Sequence, residues 1–139
     1  MIAKKIITCG WSFISLICIF ISYAYPQDIQ SPGSVRRLYQ KFYHIQKLGA
    51  ENKIAEALNE HKYFIKEHPN FYEIYRSFVR LSKDSGKLDE AISYFEELIA
   101  NEPIQPVYFY GLGFCYKALG NHGKASENFK TAIKKEGKQ

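Results

Sequence analysis

The chain has little cysteine, no block of like charge and none of the signatures of an active site. Three cysteines occur in 139 residues, and two of them, Cys9 and Cys18, fall in the N-terminal apolar stretch. Cys115 stands alone in the remainder, so that part can form no internal disulfide and its fold must rest on its core. A single thiol in an apolar helical pattern reads as a small buried side chain. No run of Lys or Arg exceeds two residues, and the net charge of +5 falls to +3 once Lys4 and Lys5 are set aside. Scattered charge of that size gives nucleic acid no electrostatic footprint, so nucleic acid is not an expected partner.

Catalytic patterns are missing as well. There is no G-x-S-x-G elbow, no phosphate loop ending in Gly-Lys-Ser/Thr and no H-E-x-x-H helix. Gly111 and Gly113 echo part of a dinucleotide loop, but they lie in a helical pattern with no preceding strand and no third glycine. His44, His61, His68 and His122 share no ligand spacing, and adding Cys115 does not complete a zinc set. Glu96 and Glu97 are neighbours on a charged helix face. No enzyme, cofactor or metal is expected.

At the N-terminus Lys4 and Lys5 precede an uncharged apolar run from Ile6 to Tyr25, and the first acidic residue is Asp28. Ser22-Tyr23-Ala24 offers small residues where a signal peptidase needs them, so residues 1–24 read as a cleaved signal peptide. At about 20 residues the run is also long enough to span a bilayer if retained. Both alternatives place the rest of the chain outside the cytoplasm, because Lys4 and Lys5 hold the N-terminus inside. Lipidation at Cys18 fits less well, since the bulky Ile17 precedes it. Residues 25–34, with two prolines and a glycine, read as a linker, and Ser34 as the cap of a first helix over about Val35–Leu48.

The rest of the chain repeats. Ala57, Ala91 and Ala125 are spaced by 34 residues, as are Phe95 and Phe129, Phe64 with Leu98 and Ala132, and Pro69 with Pro103. Breaks at Gly49–Asn52, Pro69-Asn70, Asp84–Gly86, Glu102-Pro103 and Gly120–Gly123 separate segments long enough for helices and too long for ordinary strands. A fixed period of this length marks a unit that cannot bury its apolar face alone and stacks on its copies. Six helices in three antiparallel pairs follow, with units at about 38–71, 72–105 and 106–139 of a domain spanning 35–139.

In the third unit Phe109-x-x-Leu112-Gly113-x-x-Tyr116 precedes Ala125-x-x-x-Phe129-x-x-Ala132. This resembles the tetratricopeptide repeat. The middle unit matches through Tyr75, Phe78, Val79 and Ser82 and then Ala91, Phe95, Leu98 and Pro103. The first keeps Ala57, Phe64 and Pro69 but sets Lys41, His44 and His61 where large apolar residues are expected, so its first helix is the candidate for rotation or shift. The resemblance implies a short right-handed all-α solenoid that binds protein partners in a concave groove lined by the first helix of each pair.

One step off the core positions, the groove would hold Arg76, Arg80 and Lys83 in the second unit. In the third it would hold Val107, Tyr110, Phe114 and Lys117, and in the first Tyr39, Phe42 and Gln46. A basic strip beside aromatics suits an extended peptide with acidic and apolar side chains. The Lys/Asn clamp that some relatives close on a C-terminal carboxylate is not expected, since Phe42, Gln46, Ser77 and Val107 occupy the matching places. The competing expectation is self-association: no polar capping helix follows the last repeat, which leaves Phe129 and Ile133 incompletely covered.

Overall fold

A computed structural model describes residues 32–137. The apolar run, Cys9, Cys18 and the cleavage site all lie outside the described residues. Among the described residues six helices follow one another: α1 (Pro32–Ala50), α2 (Ile54–Glu67), α3 (Tyr72–Asp84), α4 (Leu88–Asn101), α5 (Pro106–Ala118) and α6 (His122–Glu136). None of them is long and apolar enough to cross a membrane. The chain divides into a unit ending at Tyr39 and one spanning Gln40–Gln139, and the packing below is that of the second. Ser34 is not a cap. Helix α1 already begins at Pro32, whose fixed φ suits a first helical turn.

The three turns within the pairs are copies of one another. Asn52, Gly86 and Gly120 all have positive φ, at 59°, 70° and 78°. Each is followed by an amide that bonds back across the turn: Lys53 to the Leu48 carbonyl, Lys87 to Ser82 and Asn121 to Tyr116, at 3.0, 2.7 and 2.9 Å. These are Schellman closures, which need a left-handed residue and so favour glycine, with asparagine the best substitute. The first unit is therefore in register at its turn, despite its weak sequence match. Its buried face is what differs. Phe42, Ile45 and Leu48 are buried while Lys41 and His44 are exposed, a displacement of the apolar stripe by about one residue.

Small residues set the spacing. Ala57, Ala91 and Ala125 are all at most 4% exposed, and Phe64, Leu98 and Ala132, two turns further along each second helix, are buried as well. Helix α5 packs against α3, α4 and α6, and its glycines let it do so. A β-carbon on Gly111 would fall under 3.0 Å from the ring of Phe95, and one on Gly113 would fall 2.5 Å from the ring of Phe129. Aromatic rings interlock within unit two, with Tyr75 stacked on Phe95 and Phe78 edge-on to it, centroids 5.9 and 5.7 Å apart. The buried Tyr75 hydroxyl donates to the Pro69 carbonyl at 2.8 Å and Tyr94 to that of Lys62 at 2.9 Å, so neither ring strands a polar atom.

One packing slot recurs in two versions. Phe95, fully buried, abuts Gly111 of the following unit. One period earlier, His61 takes the place of Phe95 and Ser77 the place of Gly111. The imidazole is 1% exposed, with Nδ1 2.7 Å from the Ala57 carbonyl and Nε2 3.0 Å from the Ser77 hydroxyl. A carbonyl can only accept, so Nδ1 carries the proton and Nε2 accepts from serine. Burial, with Arg80 adding to it, pushes the His61 pKa down to about 4. One period later the slot is less closed, and Phe129 is only half-buried.

Candidate binding groove

The expected stripes run along α3 and α5, which pack on each other. On α3, Arg76, Arg80 and Lys83 are all exposed, and none forms an ion pair with any described residue. Among the described residues, ion pairs join Lys47 and Lys53 to Glu51 and Lys87 to Glu90. On α5, Lys117 is exposed and the helix carries no acidic residue. Arg76, Arg80, Lys83 and Lys117 thus form a row of solvated cations with no ion pair among the described residues.

The aromatic part of the stripe is placed differently from expectation. Val107 is 3% exposed and belongs to the core, so it lines no surface. The reason is that α5 is packed on three sides, and its apolar face is wider than a single helical stripe. Tyr110 and Phe114 are half-buried because α6 covers them in part. Phe114 meets Phe129 edge-on at 5.4 Å, and Tyr110 lies 6.2 Å from the same ring. In the first unit Phe42 is buried against Phe71, 5.2 Å between centroids, while Gln46 is partly accessible and Tyr39 exposed.

Two residues that sequence reasoning passes over complete this region. Glu136, the last residue of α6, receives hydrogen bonds from two tyrosines: Tyr72 to Oε1 at 3.2 Å and Tyr110 to Oε2 at 3.1 Å. The two rings meet edge-on at 5.9 Å. Burial, with Glu136 adding to it, holds both phenol pKa values above the ordinary range. Nothing in the sequence marks Tyr72 or Glu136, because the contact needs α6 folded back along α5.

At the far side of the last pair, lysines lie over aromatic rings. Lys135 lies 5.1 Å over the Phe109 ring and Lys124 4.9 Å over that of Tyr116, whose hydroxyl reaches Glu96 at 3.4 Å. Phe109, Tyr116 and Phe129 are all half-buried there, and Ile133 is 60% exposed. Cys115, in contrast, is fully buried, and burial alone pushes its thiol up to about 12, so it is protonated and shielded.

The profile of the tetratricopeptide repeat matches residues 107–134, the last helix pair. The chain is also similar to the solved structure of MamA, at 20% identity and a TM-score of 0.45, over 73% of this chain and 59% of that one. It thus spans less than two thirds of the length of MamA. No curated protein matches it.

Proposed function

The chain carries the tetratricopeptide repeat, a protein–protein interaction unit, and from that premise we propose a non-catalytic module that holds an extended acidic and apolar segment of a partner along α3 and α5. The observation that carries this reading is the row Arg76, Arg80 and Lys83, exposed and unpaired among the described residues beside the partly open rings of Tyr110 and Phe114. Cations left without an internal partner steer an acidic segment, and rigid aromatics anchor it. Lys117 extends the row on α5. The basic pair Lys4 and Lys5 ahead of the uncharged run to Tyr25 supports delivery of the module outside the cytoplasm, cleaved or anchored.

Arg76→Glu combined with Arg80→Glu is expected to abolish capture of a crosslinked partner in the native compartment. The far-UV spectrum and urea midpoint should stay as in the unaltered chain, since both side chains are exposed. Undiminished capture by that double variant would remove the assignment.

A second reading rests on the half-buried Phe129 and the exposed Ile133, which suit stacking of one copy on the end of another. Under it, Ile133→Glu converts a dimer into a monomer by analytical ultracentrifugation. An unaltered chain that sediments as a monomer at every concentration would sink this reading.

A further inference from the structure

We infer that the hydroxyls of Tyr72 and Tyr110 form a seat for a side-chain carboxylate, held by Glu136 of the same chain and yielded to an aspartate or glutamate of the bound segment. The inference rests on the binding reading above and names one subsite within it. Each oxygen of the Glu136 carboxylate takes one tyrosine hydroxyl, at 3.2 and 3.1 Å, so the pair reads both ends of the group. Neutral donors of this kind stabilise a carboxylate without neutralising it.

Three features make Glu136 a placeholder rather than a fixed brace. It sits at the C-terminal end of α6, where the helix dipole disfavours a negative charge and favours the neighbouring Lys134 and Lys135. It forms no ion pair among the described residues, and both hydrogen bonds are exposed to water, which competes for them. Tyr72 itself is 45% exposed, so an incoming chain can reach its hydroxyl.

The surroundings favour an acidic visitor over an acidic resident. Arg76 lies one turn beyond Tyr72 on α3, with Arg80 and Lys83 continuing the same face. A segment whose carboxylates meet that row delivers another to the tyrosine pair at its end. The resident carboxylate serves one subsite, whereas the visitor gains the whole row. Glu136 therefore acts as a competitor in cis, lowering affinity for any segment that does not also engage the arginines.

The test uses fluorescence anisotropy with a short, labelled peptide of mixed Glu and Leu, amidated at its C-terminus. Glu136→Ala is expected to bind it about tenfold more tightly than the unaltered chain, the bias of two exposed charge-assisted hydrogen bonds. Tyr72→Phe with Tyr110→Phe, added to Glu136→Ala, should erase that gain while keeping both rings and the urea midpoint. If Glu136→Ala leaves affinity unchanged or weaker while Arg76→Glu with Arg80→Glu still abolishes binding, the seat is wrong and the groove stands. Absence of binding by every variant overturns both. Binding confined to the same peptide with a free C-terminus overturns the side-chain assignment in favour of a terminal carboxylate.

Discussion

Phe95→Ala is expected to remove about 4 kcal/mol of stability, and Phe129→Ala roughly half as much, although the two phenylalanines hold the same place in successive repeats. Phe95 has no exposed surface and is enclosed by Tyr75, Phe78, Tyr94 and the backbone at Gly111. Its truncation leaves a cavity that cannot collapse, because the surrounding rings are themselves fixed by Tyr75 and Tyr94 hydrogen bonds. Phe129 touches Tyr110 and Phe114 on one side and is open on the other, so part of its transfer energy was never gained. Urea unfolding followed by circular dichroism gives both values. For a domain of this size about 4 kcal/mol is a large share of the total, so Phe95→Ala should already be partly unfolded near 37 °C. Equal losses at the two positions would contradict an open last slot and would mean that Phe129 is covered in solution, as end-to-end stacking requires.

The repeat was legible because its requirements are local and recur. Three alanines must be small, three turns must hold a left-handed residue, and both demands appear at fixed spacing wherever they occur in the fold. Asn52 is instructive: it stands one period before Gly86 and Gly120 without being a glycine, yet its backbone does the same thing at a φ of 59°. The start of α1 was not legible, since Ser34 offered a cap signal while Pro32 fitted the first turn equally well. Val107 was misplaced for a different reason. Helix α5 reads PVYFYGLGFCYKA, so apolar that periodicity cannot say which residue faces in, and only its packing against α3, α4 and α6 decides. The tyrosine–Glu136 contact joins residues 64 and 26 positions apart and has no periodic signature at all.

His61 shows the opposite error, in which a residue read as a departure from the repeat turns out to fill its core. It also predicts an acid sensitivity. The folded protein holds His61 at a pKa of about 4, below its ordinary 6.5, because burial penalises the imidazolium and outweighs the opposing pull of the Nδ1 bond to the Ala57 carbonyl, with Arg80 adding repulsion. The depressed value means that unfolding takes up a proton, so the native state is favoured above pH 6.5 and loses ground as pH falls toward 4. At pH 4.5 the expected loss from this one side chain is about 2.5 kcal/mol relative to pH 7.5. Protonation at Nε2 also removes the acceptor for Ser77, and Arg80 adds repulsion. The control is contained in the fold itself. His61→Phe with Ser77→Gly rewrites the slot in the version that Phe95 and Gly111 use one period later, with no titrating group and no buried hydroxyl. Urea midpoints at pH 7.5 and 4.5 should converge for that double variant and remain apart for the unaltered chain. A fall of equal size in both would assign the acid sensitivity to other groups and leave His61 a neutral filler at every pH.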